Sequence, residues 1–286
     1  MDKARLPISV IILTYNEESL IEDCLKSVHG WAKGIFVVDS FSTDRTLEIA
    51  RKYTDKIYQH QFLNYSQQRN WSQDNLPIST EWVFHLDAGE RATEELYEEL
   101  KGIFSSGVID VNGFLVARKT LFMGKWIKHG AHYPVYQLKI FKKDKGFCED
   151  RLYDQHFIVR GKIAKLKGDI IDIAGTDTHS LLEKQKRWAM SEAIEAAGIS
   201  KTGQVAPNKN GSPIEHRRWL RRGYYKMPLF IRPFIYFFYR YFLRFGFLDG
   251  FKGAVFHLIQ GFWYRMLVDI NIYKINSGTM DTKQNQ

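Results

Sequence analysis

The chain has 286 residues, of which 44% are hydrophobic and 26% charged, and its formal net charge is +9 at pH 7. This composition is ordinary for a globular protein, and the length allows one large domain with an extension or two small domains. Cys24 and Cys148 are the only cysteines, which excludes a disulfide scaffold and favours a reducing compartment. The N-terminal residues lead into a strand-like run rather than a signal peptide, so we expect a cytoplasmic location.

The positive charge is concentrated near the C-terminus. Residues 201–286 contain 14 Lys or Arg and 4 Asp or Glu, whereas residues 1–200 are close to neutral. A basic segment on a neutral body predicts contact with something anionic, and nucleic acid and an anionic membrane surface are the two candidates.

The first hundred residues alternate between strand-like and helix-like patterns. Residues 8–14 are mostly β-branched and apolar, which is typical of a buried strand, and residues 17–29 have apolar side chains at helical spacing. Further strands are predicted at 35–38, 56–60 and 81–86, and further helices at 46–53, 65–74 and 92–105. This alternation predicts an α/β fold with a Rossmann-type, mostly parallel sheet flanked by helices.

Beyond residue 110 the pattern changes to short strands without intervening helices, at 113–118, 135–141 and 156–166. These runs predict a mixed edge of the sheet. A helix is predicted over 180–197, and the Gly, Pro, Asn, Ser and Lys residues of 200–214 predict a linker. We therefore expect one α/β domain over 1–200 and a helical extension over 201–286.

The extension is aromatic as well as basic. Ten of the eighteen residues from Phe230 to Phe247 are Phe or Tyr. Three arginines interrupt this run and argue against a membrane-spanning helix: Arg232, Arg240 and Arg244. Their spacing predicts a cationic stripe beside an aromatic face, as in a helix that lies at a membrane interface.

The extension has two other candidate partners. The arginine cluster at 217–222 is of a type that binds RNA, but the adjoining aromatic run favours a membrane surface contacted through 217–275. We therefore expect no nucleic acid partner. Packing of the aromatic run against the protein's own core or against another protein is the remaining alternative.

The strand predicted at 81–86 runs into a short acidic loop that ends in Glu90. Open α/β sheets place their ligand chemistry at the carboxyl ends of strands. Asp87 and Glu90, three residues apart, suit one divalent cation held against a phosphate-bearing substrate. Asp39 ends another predicted strand, so it should lie at the same edge and accept hydrogen bonds from a nucleoside. The alternative is that these aspartates only cap the turns that follow them.

Three segments, taken in order, resemble the GT-A-fold glycosyltransferases of family 2. Residues 7–18 resemble the opening strand and loop of that family, 37–44 its second nucleotide-binding strand, and 86–90 its Asp-x-Asp-Glu metal motif. Order and spacing fit over 7–100, with weaker similarity to about residue 180. The most similar subgroup is that of bacterial lipopolysaccharide-core enzymes.

The resemblance implies transfer of a hexose, with inversion, from a nucleotide-diphospho-sugar to a lipid-linked saccharide or lipopolysaccharide-core acceptor. It also implies a divalent cation, Mg²⁺ or Mn²⁺. The positions that would lie along the nucleotide, its diphosphate and the cation are Thr14, Asn16, Glu17, Asp39, Arg69 and Asp87. Gly89 departs from the motif, because an Asp is usual there. Either Glu90 or water would then fill that coordination place.

An inverting transfer also needs a general base near the acceptor hydroxyl. Residues 148–156 form the densest acidic cluster between 111 and 200. The resemblance places the base in this region, where Asp150 and Glu149 are the first candidates and Asp154 is the reserve. The alternative is a solvated acidic turn balanced by neighbouring basic residues.

We therefore expect a glycosyltransferase of cell-envelope polysaccharide that is peripheral on the inner face of the cell membrane. One alternative is a nucleotidyltransferase, but that chemistry usually needs a Gly-rich, basic loop after the first strand, where this chain has residues 15–18, Tyr-Asn-Glu-Glu. The other alternative is a non-catalytic, membrane-associated binder of nucleotide-sugars, for which Gly89 is the main argument.

Overall fold

The computed structural model describes residues 3–174, 178–199 and 203–279. Contacts divide the chain into two compact units. Unit 1 consists of Met1–Lys119, Val135–Cys148 and His156–Ile173, and unit 2 consists of Thr120–Pro134, Glu149–Gln155 and Ala174–Gln286. The units alternate along the chain, and the domain boundary expected at residue 200 stays a prediction.

Unit 1 contains four parallel strands in the order β3-β2-β1-β4. They are β1 (Leu6–Thr14), β2 (Ala32–Asp39), β3 (Ile57–Gln59) and β4 (Trp82–Asp87). In register, Thr14 pairs with Asp39 and Leu13 with Asp87. The loops after β1, β2 and β4 therefore leave the sheet from one edge, as the sequence predicts.

The remaining strands are short or antiparallel. They are β5 (Glu90–Ala92), β6 (Gly113–Phe122), β7 (Lys125–Ile127), β8 (Tyr136–Lys142), β9 (Gly146–Cys148), β10 (Phe157–Val159) and β11 (Ile163–Ala174). The sheet continues β4-β8-β6-β11-β5, and β4 pairs antiparallel with β8, β8 with β6, and β11 with β5. The α/β fold is confirmed, and the predicted mixed edge extends over these strands.

Helices cover both faces of the parallel strands. They are α1 (Ile21–His29), α2 (Thr46–Ala50), α3 (Tyr65–Asn75) and α4 (Glu94–Ser105). Strand β1 is buried on both sides: Val10 and Ile12 belong to the core that includes α1 and α4, while Ile11 and Leu13 belong to the core beside α3. A strand buried on both faces needs a continuous apolar run, which is the pattern that the sequence shows.

Unit 2 is mainly helical. Its helices are α5 (Thr178–Ala196), α6 (Pro213–Tyr225), α7 (Arg232–Phe238), α8 (Gly250–His257) and α9 (Tyr264–Asn276). Glu192 of α5 is fully buried and accepts hydrogen bonds from Arg221 at 2.7 Å, Arg265 at 2.7 Å and Tyr264 at 2.6 Å. Burial alone would raise the pKa of Glu192, but the two arginines outweigh it and lower the pKa to about 2. This carboxylate joins α5, α6 and α9.

The predicted cationic stripe along 230–247 is wrong. Arg232 is buried, and its guanidinium donates to Asp269 of α9 at 2.8 and 2.6 Å. Arg240 donates from Nε to a backbone carbonyl at 2.6 Å, and only Arg244 of the three arginines is exposed. The prediction assumed a regular helix, whereas the chain is π-helical after α7 and uses two of these arginines to hold unit 2 together.

The aromatic character of this region is displayed at the surface. Twelve large apolar side chains between Phe230 and Phe251 are exposed, with relative exposures from 39% to 81%. We call the stretch that carries these twelve side chains, residues 230–251, the exposed apolar segment. Among the residues that the structure describes, no helix combines the length and the apolar character needed to cross a membrane.

Packing in unit 1 predicts opposite effects for two glycines. A Cβ added at Gly168 of β11 would lie 2.4 Å from Cα and 2.5 Å from N of Leu96 in α4, so the backbones would have to separate. We expect Gly168→Ala to lower the free energy of unfolding by about 1–3 kcal/mol. Urea denaturation measures this change.

Gly102→Ala is the matched control. An added Cβ at Gly102 meets nothing within 4 Å, and alanine favours a helix interior over glycine by up to about 1 kcal/mol. The control should therefore leave stability unchanged or raise it. Equal losses in both variants would contradict the close packing of β11 on α4.

Candidate functional site

The loops after β1 and β2 are joined by hydrogen bonds. Asn16 has a φ of 51°, a left-handed conformation that asparagine tolerates better than most residues. Its Oδ1 accepts from the backbone N–H of Thr43 at 2.8 Å. The N–H of Glu17 donates to Oγ1 of Thr46 at 2.8 Å. Thr14 is buried beneath them, and its hydroxyl has no hydrogen-bond partner among the described residues. The structure therefore brings three of the predicted nucleotide-site residues together.

Asp39 lies under the second loop rather than at its surface. The carboxylate is fully buried and accepts from the backbone N–H of Ser42 at 3.0 Å and from Nε2 of Gln59 at 3.1 Å. The hydroxyl of Ser42 also donates to it. These contacts make Asp39 a residue that positions the loop after β2. Its direct contact with a nucleoside stays a prediction.

Asp87 at the end of β4 is held between two cations. Arg69 of α3 donates to its two carboxylate oxygens at 3.2 and 3.3 Å, and Nζ of Lys139 in β8 lies 3.5 Å from Oδ2. The Asp87 side chain is still 40% exposed, whereas that of Lys139 is only 5% exposed. One ionised carboxylate is thus presented to solvent, with two positive charges beside it.

Glu90 is turned into the protein. Its side chain is 4% exposed, and its Oε2 accepts from Nζ of Lys139 at 2.6 Å and from the backbone N–H of Asp87 at 2.9 Å. Both donors reach the same oxygen. Glu90 therefore fixes the backbone of the acidic loop and neutralises Lys139.

The pKa values of Asp87 and Glu90 shift in opposite directions because their surroundings differ. Burial alone would raise the pKa of Asp87, but Lys139 and Arg69 outweigh it and hold this pKa well below its usual range. Burial raises the pKa of Glu90, and the charge of Lys139 offsets only part of that effect. Asp87 is consequently ionised over the whole neutral range.

The donor set fits a divalent cation through Asp87 but not through Glu90. Mg²⁺ commonly takes one or two carboxylates and completes its shell with water and substrate phosphates. Asp87 offers an exposed carboxylate for such a cation, whereas Glu90 is buried on Lys139. In the described part of the chain, no three His, Cys, Asp or Glu side chains are grouped closely enough to hold a metal ion.

Three consecutive residues of α3 reach three parts of the site. Gln68 donates to the hydroxyl of Ser40 in the loop after β2 at 3.2 Å. Arg69 binds Asp87, as described above. Asn70 exchanges two hydrogen bonds of 2.8 Å with the backbone of the last residue of β9, Cys148. The helix thus fixes the loop after β2, the acidic loop and β9 relative to one another.

Lys139 is a site residue that is not among those predicted from the sequence. It lies in β8 between Leu138 and Ile140, both buried, and it is itself 4% exposed. A lysine is almost never buried without a partner, so a lone lysine inside an apolar strand is the signal that would have identified it.

The three candidates for the general base lie in unit 2, in different environments. Glu149 is fully buried, and its carboxylate forms an ion pair with Arg218, whose Nη1 donates at 2.9 Å. Asp154 accepts from Arg221 at 2.9 Å. Asp150 is exposed and has no ion-pair partner within the described residues.

Comparison with known proteins identifies the family. Residues 9–151, half of the chain, match the family model "Glycosyl transferase family 2". The chain belongs to glycosyl transferase family 2 and is a glycosyltransferase, which confirms the family, the GT-A-like α/β fold class and the enzyme class that the three motifs predict.

Two relatives are similar in sequence. An uncharacterized glycosyltransferase of Rickettsia bellii (strain RML369-C) is 26% identical over 267 residues, which cover 89% of this chain and 82% of the relative. The lipopolysaccharide core biosynthesis glycosyltransferase LpsC of Rhizobium meliloti (strain 1021) is 30% identical over 125 residues, which cover 42% of this chain and 45% of LpsC. This chain therefore matches less than half the length of LpsC.

Solved structures are similar at lower identity. S. aureus TarS 1–349 has a TM-score of 0.44 at 15% identity, over 98% of this chain and 92% of that chain. Glucosyl-3-phosphoglycerate synthase from Mycobacterium tuberculosis, in complex with Mn²⁺, UDP and glucosyl-3-phosphoglycerate, has a TM-score of 0.35 at 17% identity, over 48% of this chain and 57% of that chain.

The buried ion pair at the acidic loop predicts a large stability effect. Lys139→Met leaves Glu90 buried without its cation, and breaking such a pair from one side costs about 3–5 kcal/mol. We expect urea denaturation at neutral pH to show this loss. The loss should shrink as the pH falls, because burial raises the pKa of Glu90 and protonation removes the unpaired charge.

Two further variants test the explanation. Glu90→Gln added to Lys139→Met removes the stranded charge and should restore part of the lost stability. Lys142→Met, on the same strand, breaks an exposed pair with Glu81 and should cost less than about 1 kcal/mol. If the loss in the double variant equals the sum of the losses measured for Lys139→Met alone and Glu90→Gln alone, the proposed coupling between Lys139 and Glu90 is contradicted.

Proposed function

We propose that this glycosyltransferase moves a hexose, with inversion, from a nucleotide-diphospho-sugar to a lipid-linked saccharide or lipopolysaccharide-core acceptor. The observation that carries the proposal is the ionised Asp87 held between Arg69 and Lys139. This group lies at the carboxyl end of parallel strands, where α/β folds bind phosphorylated ligands. The similarity to LpsC supports the acceptor class.

The donor would lie over the joined loops after β1 and β2. Asn16 is exposed on this platform and Glu17 is partly exposed, so both are placed to contact the nucleotide. The hydroxyl of Thr14, without a partner among the described residues, fits a hydrogen bond to the same ligand. Asp39 would act by holding the loop after β2 in place.

The diphosphate would lie beside Asp87. Asp87 would hold Mg²⁺ or Mn²⁺ together with water and diphosphate oxygens, and the cation would neutralise charge on the departing diphosphate. Arg69 keeps the Asp87 carboxylate oriented through both of its oxygens. Lys139 fixes Glu90 and the acidic loop, so the exposed carboxylate is presented in one orientation.

Asp150 is the candidate that best suits a general base. A base must have an oxygen free to accept the proton of the acceptor hydroxyl as that oxygen attacks the anomeric carbon. Glu149 and Asp154 are each bound to an arginine, whereas Asp150 is exposed. The proton of the acceptor would pass to Asp150, and the diphosphate would leave from the opposite face of the sugar.

We also propose that the exposed apolar segment, 230–251, contacts the inner face of the cell membrane. Exposed apolar surface of this extent is rare on proteins that have no partner for it. The segment lies within the basic part of the chain, residues 201–286, which suits a leaflet of anionic lipids. An amphiphilic acceptor would be available at that surface.

The catalytic roles predict losses of turnover. We expect Asp87→Asn to lower the release of nucleoside diphosphate by about a hundredfold or more, because the carboxylate beside the diphosphate is lost. Asp150→Asn should lower turnover by about 10²–10⁴-fold, the usual contribution of a general base. The assay follows donor hydrolysis, in which water replaces the acceptor, for a set of nucleotide-sugars with Mn²⁺ added.

Asp144→Asn is the control for these variants, because Asp144 is an exposed aspartate near the same stretch of chain and has no assigned role. It should retain the turnover of the unmodified protein. If Asp87→Asn also turns over donor normally, the proposed diphosphate site is overturned.

Membrane contact predicts a loss of vesicle binding. Phe238 and Phe242 are 53% and 47% exposed, and burial of an aromatic side chain contributes about 1.5–3 kcal/mol. We expect Phe238→Ser combined with Phe242→Ser to weaken binding to anionic vesicles by about tenfold or more, measured by co-sedimentation. Phe62→Ser with Leu63→Ser removes two exposed apolar side chains of unit 1 and should have no such effect. Equal weakening by both pairs would exclude a specific contact through 230–251.

A further inference from the structure

Unit 2 contains a cavity of about 330 Å³ that involves none of the residues assigned above to the nucleotide-sugar site. Its lining includes Lys128 and His129 from the loop after β7, and Leu243, Arg244 and Phe245 from the exposed apolar segment. Cavities that bind small ligands start at about this size. The cavity joins a polar loop to the most aromatic part of the chain.

The lining carries uncompensated positive charge. Lys128 and Arg244 are exposed, and neither has an ion-pair partner in the described part of the chain. The ammonium of Lys128 lies 5.5 Å from the centroid of the Trp126 ring, a contact that leaves its charge in place. Among the described residues, no acidic side chain lines the cavity. An anion is therefore the ligand that this lining suits.

Buried groups fix the walls of the cavity. Asp249 is 4% exposed and accepts from the backbone N–H of His129 at 2.9 Å, while its other oxygen lies 2.7 Å from Nδ1 of the same residue. Gly130 donates to the carbonyl of Arg244 at 2.9 Å and accepts from Nε of Arg240 at 2.6 Å. These bonds hold the loop after β7 against the segment that carries Arg244, so the backbone positions of the two cationic residues are fixed before any ligand binds.

Glycine is required at the point where the loop is closest to the core. Gly130 has a φ of 69°, and an added Cβ would come within 2.2 Å of the His257 ring. Backbone and ring are therefore in direct contact, which further restrains the loop after β7.

The other part of the lining is apolar and open to solvent. Leu243 and Phe245 are 59% and 57% exposed. They belong to the exposed apolar segment that we assign to membrane contact. A ligand that satisfies both parts of the lining has an anionic group for the cations and an apolar chain for these side chains.

We propose that this cavity binds the phosphate group of a membrane amphiphile, with the apolar chain of that amphiphile against Leu243 and Phe245. Arginine binds phosphate oxygens through its planar fork, and lysine adds a compact point charge. The inference rests on the proposed membrane function and deepens it. It adds a phosphate-bearing lipid, bound in the cavity, to the apolar contact that we propose for this surface.

Vesicle binding by the full chain tests the proposal. The probes are phosphatidylcholine vesicles that contain either phosphatidic acid or oleic acid at equal surface charge. We expect Lys128→Gln with Arg244→Gln to weaken binding to the phosphatidate vesicles by about tenfold or more, and binding to the oleate vesicles by much less. Lys128→Gln alone, at an exposed side chain that makes no hydrogen bond among the described residues, should show part of the loss.

Lys125→Gln with Arg187→Gln is the matched control, since it removes the same charge from exposed residues of unit 2 outside the cavity and outside the basic segment 201–286. It should retain phosphatidate binding to within about threefold. Equal weakening by the control, or an equal loss on oleate vesicles, would show general charge attraction and overturn the proposal.

Inorganic phosphate provides the remaining arm. One outcome would show that the site binds soluble phosphate and that the lipid assignment is wrong. In that outcome, inorganic phosphate raises the melting temperature of the unmodified protein but not of the Lys128 and Arg244 variant, and this variant still binds phosphatidate vesicles normally. If the unmodified protein binds neither kind of vesicle, the proposed membrane contact fails together with the cavity assignment. If it binds both kinds and the Lys128 and Arg244 variant binds phosphatidate vesicles as tightly, the cavity assignment alone is overturned. The vesicle assay contains no nucleotide-sugar, so neither outcome bears on the catalytic proposal. A failure of donor turnover would count against the proposed catalytic function alone.

Discussion

The ion pair between Lys139 and Glu90 determines how the acidic loop is presented. Lys139 comes from an antiparallel strand and Glu90 from the end of the loop that follows β4, and both are almost completely buried. Because Glu90 also accepts from the backbone N–H of Asp87, the pair fixes the residue that faces solvent. Without this pair, the buried carboxylate and the buried ammonium would each destabilise the folded protein by several kcal/mol. Two negative and two positive side chains thus form one arrangement: Asp87, Glu90, Arg69 and Lys139.

This arrangement changes the meaning of Gly89. From the motif alone, the glycine is a missing metal ligand that Glu90 or water must replace. The structure gives Glu90 a different partner, since its Oε2 binds an ammonium and a backbone N–H. The acidic loop is therefore built around one outward carboxylate. Such a donor set suits a cation that receives most of its ligands from water and substrate.

The sequence predicted what depends on local pattern. The strands β1, β2 and β4 were recognised because each is a mostly apolar run that ends in a polar loop, and their register confirms that Asp39 and Asp87 lie at one edge. The family followed from the order of three motifs. The lysine inside apolar β8 signals a buried Lys139, but its partner Glu90 is 49 positions earlier in the chain, and no local pattern encodes that pairing. Arg232 was misplaced for the same reason, because its carboxylate partner is in α9.

Helix α3 offers a route for coupling within unit 1. Its consecutive residues Gln68, Arg69 and Asn70 bind the loop after β2, the acidic loop and the backbone of Cys148. A helix is stiff, so a small rotation of α3 would move all three contacts together. A ligand that shifts the loop after β2 would then also shift Cys148, the last residue of β9. Helix α3 is therefore a mechanical link between the loop after β2, the acidic loop and the end of β9.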